Sequence, residues 1–542
     1  MRIFAFVILL AVPRVADACG GFFCSQTQSV NQAAERIIFA KNADGSVTSV
    51  VQILYQGPAE KFSWVLPVPS VPTVAVSSNS AFTRLQFATN PSYRLTTRIE
   101  GNCATSNRRA QVSLAGNASE DSAGGTANPS APVDVVAQGS VGPYDYEVIR
   151  VNVAHADKAQ VAVEWLTQNG YDVTAVGPAL IRPYLEQGDL LIAFRLTKTS
   201  DAGDIRPVAL TFQDDRPMIP IKLTAVAAQD NMGVLVWVLG QKRSVPINYR
   251  HLVLNDAAIN WLTGASNYAA VVDLAADEAG GQGFVTEYAQ PAETLKNIVV
   301  RDNERTQWLT VEAQDWTGKT AQLAKALLQF SSWDGVEETL DDFVNAPQNM
   351  TLTQWINCGG CGVAGTVKLE DGPALLAAFR TNVVKPMLDT QAVVDSLPYV
   401  TRLYSTLSAP EMTVDPEFDY NPDLPTLSNV HTAERVIECN PVVTNATAPW
   451  RVILSDGSIV RGSGTTWPLT VGNDTTATLE IVQMATSGFG EVVKDNRRPI
   501  ADAVAASNRK NAGCACGASD GGLSAMVLST LVPMLRRRRR AR

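Results

Sequence analysis

The chain has 542 residues, 46% hydrophobic and 18% charged, enough apolar material to bury a large core, which excludes a disordered or fibrous protein. Its formal charge is −9, and setting aside residues 1–18 and 514–542 leaves 36 basic against 51 acidic side chains, so the body is near −15. A phosphate-backbone ligand needs a cationic face, so nucleic acid is excluded as a partner.

Residues 3–12 form an apolar run behind Arg2, and Ala16, Asp17 and Ala18 stand immediately before Cys19. This three-part layout predicts a secretory signal over residues 1–18, cut after Ala18 by signal peptidase. Cys19 in the first mature position also raises lipoprotein processing, but that route favours Leu three residues earlier, where Ala16 stands.

Residues 36–68 alternate apolar and polar positions in the runs IIFA, VTSVVQILY and FSWVLPV, separated by Asn42-Ala43-Asp44-Gly45 and Gln56-Gly57-Pro58. That pattern predicts an antiparallel meander within a β-rich part spanning 19–103. Residues 104–132 are rich in Ser, Ala, Gly and Asn without apolar periodicity and read as a flexible low-complexity loop. An α+β part follows over 144–250. It has a strand from Tyr144, a helix over 157–169 capped by Asp157, a short helix over 178–186, and strands starting at Leu190, Ile205, Ile221 and Gly233. Residues 251–491 mix helices over 256–262, 267–277, 320–330 and 373–379 with a hairpin, WRVILSDGSIVRG, turning at Ser455-Asp456-Gly457-Ser458. Residues 492–513 are polar and predict a stalk. The fold class is therefore α+β, with largely antiparallel sheets in the N-terminal half, a more helical second half and a short C-terminal apolar helix.

That last helix lies in residues 514–542, where Cys514 and Cys516 precede an apolar run over 523–535 and then Arg536, Arg537, Arg538, Arg539 and Arg540. Thirteen residues at 1.5 Å each reach about 20 Å, short of the roughly 30 Å hydrocarbon core. The arginines would stay on the cytoplasmic side, leaving the body outside. The order of cysteine motif, apolar stretch and arginine cluster resembles the MYXO-CTERM sorting tail of myxobacteria and their relatives. The resemblance implies cutting by a sorting protease near Cys514 or Cys516 and delivery to the outer surface of a Gram-negative bacterium, with membrane attachment through the tail at least during export. A permanent single-span anchor is the alternative.

Outside that tail the cysteines are Cys19, Cys24, Cys103, Cys358, Cys361 and Cys439, an even set that in an exported chain predicts up to three disulfides. Cys19 with Cys24 and Cys358 with Cys361 could each close a small loop, leaving Cys103 for Cys439. Cys358-Gly359-Gly360-Cys361 also has redox-motif spacing, and the two close pairs together could hold zinc. Oxygen-bearing residues at every second position, Asp415, Glu417, Asp419, Asn421 and Asp423, could converge on calcium if the segment curls. They miss the EF-hand pattern, with Tyr420 where Gly belongs and Thr426 where Glu belongs, and the alternative is an acidic surface loop. Asp277 and Glu278 with Glu287 could form an acid/base pair, or cap helices. His155, His251 and His431 are isolated, Arg461-Gly462-Ser463-Gly464 only superficially resembles a hydrolase elbow, and Gly280-Gly281-Gln282-Gly283 reads as a loop, so no catalytic residue is assigned.

Six stretches together resemble the domain of unknown function 2330 family. They are CGGFFC from Cys19, NQAAERIIF from Asn31, FSWVLPVPSVP from Phe62, IRPVALTF from Ile205, DEAGGQGFVTEYA from Asp277 and YVTRLYSTLSAPEMTVDPEF from Tyr399. The resemblance implies a secreted, surface-attached protein and carries over no activity. The sequence reading is a non-catalytic envelope structural, adhesion or ligand-binding protein with an unidentified surface ligand. The alternatives are a secreted hydrolase assembled from distant residues and a calcium-dependent adhesive module.

Overall fold

The computed structural model describes residues 31–56, 63–103, 133–152, 157–171, 177–196, 205–226, 228–363 and 365–511. The signal over 1–18, Cys19 and Cys24, the 104–132 segment and the whole C-terminal tail lie outside them.

Ten strands form the central sheet. The first five are Asn31–Lys41 (β1), Ser46–Gln56 (β2), Thr73–Val76 (β3), Val208–Gln213 (β4) and Ala228–Gly240 (β5). The others are Arg250–Leu254 (β6), Gly283–Pro291 (β7), Tyr399–Leu407 (β8), Thr478–Gln483 (β9) and Glu491–Asp495 (β10). Their order is β10-β9-β6-β7-β8-β5-β1-β2-β4-β3, so strands from both ends of the described chain share one sheet. Antiparallel pairing dominates; β1 with β5 and β6 with β7 are the parallel neighbours.

Side chains alternate across a strand, and here both faces are covered. On β1, Ile37 and Phe39 enter one core while Ile38 and Ala40 enter another; on β5, Val234, Val236 and Val238 separate from Leu235, Trp237 and Leu239 in the same way. The first core is closed by a second sheet, ordered Ser63–Val68, Leu190–Leu196, Tyr144–Val151, Val133–Val141. The helix Lys158–Gln168, whose first turn donates from Gln160 to Asp157, and the helix Gly177–Gln187 cover that second sheet. On the opposite face, helices Asn79–Thr89 (α1), Thr320–Leu327 and Gly372–Phe379 bury the core around Trp237. Further along, Leu252, Val285 and Ile481 meet Tyr268–Glu278 (α2), Arg497–Asn511 (α3) and a third sheet, ordered Ile459–Ser463, Pro449–Ile453, Val430–Glu438, Ser92–Glu100.

Several expectations change. The third meander run, Ser63–Val68, leaves the central sheet and pairs with Leu190–Leu196 in the second. The segment from Ile221, expected as a strand, is a short helix, Ile221–Thr224: Pro220 presets the turn, and Ile221 and Leu223 are buried in the first core. The helix expected over 256–262 is two separate 3₁₀ turns, Asp256–Ala258 and Trp261–Thr263. The expected stalk over 492–513 is, through residue 511, the edge strand β10 followed by α3, whose Ile500 and Val504 pack into the third core. Its polar composition reflects an exposed edge and one solvated helix face rather than an extended linker. Among the described residues no helix is long and apolar enough to cross a membrane.

Cys103 is bonded to Cys439, with Cα atoms 4.8 Å apart, just past the ends of the parallel strands Ser92–Glu100 and Val430–Glu438. Cys439 N–H donates to the Glu100 carbonyl, and Gly101 between them has φ +84° and leaves only 2.2 Å between a would-be Cβ and the Cys439 carbonyl oxygen. Glycine is required there. Cys358 is bonded to Cys361 at the C-terminal end of the helix Leu352–Asn357.

Candidate functional site

Between the second and third cores runs a buried polar seam built on β7 and β8. Their register shifts between Thr286 and Tyr288, which makes Glu287 the extra residue of a bulge and turns its carboxylate toward Arg402. Arg402 Nε lies 2.6 Å from Glu287 Oε2, with side chains 4% and 1% exposed. The Tyr268 hydroxyl on α2 donates to Glu287 Oε1 at 2.6 Å. Arg402 Nη1 donates to the Gln86 carbonyl and to Thr89 Oγ1 on α1, both at 3.1 Å, and the guanidinium lies 5.6 Å from the Trp237 ring centre. Burial pushes the Glu287 carboxyl up, while Arg402 and the Tyr268 hydroxyl hold it down in part. Burial and the neighbouring Glu287 raise the Tyr268 hydroxyl well above its ordinary value.

A cavity of about 800 Å³ adjoins this seam. β6 and β7 share only three rungs, Arg250/Gly283, His251/Phe284 and Leu252/Val285, and beyond them the strands part. The cavity occupies that wedge, with Val253 to Ala257 on one side, Val285 to Glu287 on the other, and Ile500, Ala501, Val504 and Ala505 of α3 across the opening. Apolar walls come from Leu252, Leu254, Val285, Leu427 and Leu479. Tyr93 stacks on His431 with ring centres 4.4 Å apart and also lines the space.

The charged groups of the cavity differ in their company. His251 Nδ1 lies 3.3 Å from Thr286 Oγ1, and burial, reinforced by Arg243, brings the imidazole down to about 3, so it is neutral at pH 7. Burial, with Asp456 nearby, pushes Asp256 up to about 6. Asp456 itself accepts from Ser458 N and Oγ in a tight turn. Arg497 is paired with Glu480 at 2.7 Å and Asp495 at 3.0 Å.

The five residues of the calcium reading each have protein partners. Asp415 accepts from the Tyr184 hydroxyl and pairs with Lys222 Nζ at 3.0 Å, and Asp419 pairs with Arg216 Nε at 3.0 Å. Glu417 lies 3.8 Å from Arg216. Asn421 donates to the carbonyls of Ala485 and Gly488, and Asp423 accepts from Gly488 N–H. Phe418–Tyr420 is a strand paired with Ser244–Pro246, and the five side chains are held by protein partners along the segment, Asp415 by Lys222 and Tyr184, Glu417 and Asp419 by Arg216, and Asn421 and Asp423 by the backbone around Gly488, instead of by a common centre. Among the described residues no group of three or more His, Cys, Asp or Glu could hold a metal ion. The acid/base grouping also separates: Glu278 accepts from the backbone of Ala477 and Thr478, Asp277 is exposed, and Glu287 belongs to Arg402. Cys358 caps the C-terminus of its helix, where the dipole disfavours a thiolate, so the redox spacing lacks the N-terminal setting it needs.

Sequence reasoning did not single out Arg243, Asp256, Tyr268 or Arg402. The available signal was a charge inside an apolar strand: Arg402 interrupts YVTRLYSTL and Glu287 interrupts GFVTEYA, and both interruptions are members of one pair. The family model described as "uncharacterized protein conserved in bacteria" (DUF2330) matches residues 13–303. No curated protein and no solved structure matches the chain.

Proposed function

The chain belongs to DUF2330, a family of uncharacterized proteins conserved in bacteria, and we propose that it is an exported, non-catalytic protein of the outer cell surface that binds a small amphipathic ligand. The observation that carries the binding role is the wedge cavity between β6 and β7. Its volume of about 800 Å³ falls in the range of small-molecule sites, and its walls combine aliphatic side chains with polar and charged groups at fixed positions. The non-catalytic reading is supported by how the buried polar groups are engaged: Glu287 by Arg402 and Tyr268, and His251, uncharged, by Thr286. Export is supported by the signal layout of residues 1–18, the sorting-tail pattern of 514–542 and the even cysteine set.

Native mass spectrometry of protein released from its producing cells tests the binding role. A co-purifying small molecule is expected, and Ala501→Trp, at an exposed position on the cavity wall, should displace it; an empty cavity in every preparation would overturn the reading. Intact mass of the same material tests export, with a mature chain from Cys19 to the region of Cys514 expected. One observation favours a second reading, a hydrolase: Asp256, pushed up to about 6 chiefly by burial, lines the cavity together with Asp456. Turnover of ester, glycoside or peptide substrates abolished by Asp256→Asn would establish that reading over the binding one.

A further inference from the structure

Among the described residues, Arg243 is a cation of the cavity with no carboxylate within ion-pairing distance. Arg243 follows β5, is 7% exposed and lines the wedge beside His251. Its Nη1 donates to the Pro425 carbonyl at 3.0 Å. Nε is buried without a hydrogen-bond partner, and among the described residues Tyr399, not a carboxylate, is the group whose charge bears on it. A buried guanidinium left in this state is costly, because desolvation is compensated neither by a counter-ion nor by a full set of acceptors.

Two other buried arginines show what compensation looks like in this chain. Arg402 has Glu287 at 2.6 Å. Arg206, also buried, places Nη1 on the Asn382 carbonyl and Nη2 on the Ser77 carbonyl, and lies in the field of Asp334 and Glu338. Nε lacks an aligned hydrogen-bond acceptor in all three; Arg243 differs in lining the wedge with a single carbonyl acceptor on its guanidinium and no carboxylate in its field. The carboxylates and cations lining the cavity have other partners or positions: Glu287 belongs to Arg402, Arg497 to Glu480 and Asp495, Asp456 accepts from Ser458, His251 is neutral, and Asp256 lies beyond the far end of β6.

We propose that the cavity ligand is an amphipathic carboxylate, its head group on Arg243 and its aliphatic body along Leu252, Leu254, Val285, Leu427 and Leu479. A carboxylate fits for two reasons. Its single negative charge balances the single uncompensated positive one, and its two oxygens match adjacent N–H groups of a guanidinium edge. A dianionic phosphate would bring more charge than one arginine offsets. The aliphatic walls exclude a compact polar acid, which would leave them uncovered. This assignment rests on the ligand-binding reading and specifies its chemistry.

The test is calorimetric titration of the full chain with dodecanoate, dodecylamine and dodecanol, each below its micelle threshold. Dodecanoate is expected to bind at least about tenfold more tightly than dodecanol, as a charge-assisted hydrogen bond implies, and dodecylamine more weakly than either. Arg243→Gln should remove the preference for dodecanoate over dodecanol. Arg243→Lys, which keeps the charge and gives a control should the Gln variant fail to fold, should retain part of the preference. Equal binding of dodecanoate and dodecanol by the unaltered protein would overturn the carboxylate assignment and leave the ligand-binding reading standing. Binding of none of the three would overturn both.

Discussion

Glu287 and Arg402 face each other across β7 and β8 at 2.6 Å, with scarcely any solvent contact, at the one point where the register of those strands slips. The pair joins two cores that the sheet would otherwise keep apart, because Arg402 reaches α1 through Thr89 while Glu287 reaches α2 through Tyr268.

Removing one partner of this pair should be far worse than removing both. Glu287→Gln leaves a buried guanidinium without its counter-ion and is expected to lower stability by about 3–5 kcal/mol, whereas Glu287→Leu combined with Arg402→Met should fall within about 2 kcal/mol of the unaltered protein. Urea denaturation of the three proteins measures this. A double variant as unstable as the single one would show that the seam needs its charges for more than mutual compensation.

Two cavity residues should pull the acid limb of the stability profile in opposite directions. Folding raises Asp256 from 3.8 to about 6, so the folded state takes up its proton first and stability rises as pH falls from about 6 toward 4. Folding lowers His251 from 6.5 to about 3, so the unfolded state protonates first and stability falls as pH drops below about 6.5. Asp256→Asn should therefore steepen the acid loss between pH 6 and 4, by about 1–2 kcal/mol once solvent screening is allowed for. His251→Gln should flatten it. Unfolding midpoints taken every half pH unit decide the matter, and an Asp256→Asn profile parallel to that of the unaltered protein would refute the assignment.

The two disulfides should differ in their effect. Cys103–Cys439 spans a sequence separation of 336 and Cys358–Cys361 one of 3. Restriction of the unfolded chain grows with loop length, so Cys103→Ala with Cys439→Ala should cost about 3–5 kcal/mol and Cys358→Ala with Cys361→Ala about 2 kcal/mol or less. Thermal melts of the two double variants provide the comparison, and equal losses would contradict it.

A fragment ending at residue 303, the limit of the family match, should not fold. β8 lies between β7 and β5, so without residues 399–407 the central sheet is cut in two. Near-ultraviolet circular dichroism of residues 19–303 is expected to show no fixed aromatic environment, while residues 19–511 should; a sharp spectrum from the shorter piece would mean that the matched region is self-sufficient.

Much of the fold was legible in local pattern. Alternation located β1 and β2, Asp157 marked the start of its helix, and Asp456-Gly457 marked the turn of the Trp450 hairpin, because each signal acts over a few residues. The failures share a cause in long-range packing. Nothing near Ser63 says that its strand joins another sheet, and apolar residues from Ile221 satisfy a buried short helix as readily as a strand. The alternating acids from Asp415 look alike in sequence, yet Lys222 and Arg216, some two hundred residues earlier, decide where Asp415 and Asp419 point. Arg243 gave no signal, because an arginine between a strand and a turn is unremarkable until burial removes its water.

The position of β8 also bears on synthesis. The strands completed by Gly240 present β5 as a long edge, apolar on both faces, whose partner ends at Leu407, 167 residues later. At ribosomal speeds of about 5–20 residues per second that edge waits for about 10–30 s. For that interval the nascent chain offers an unpaired template to any neighbour emerging beside it, so the yield of this protein should depend on what shields β5 before its own partner arrives.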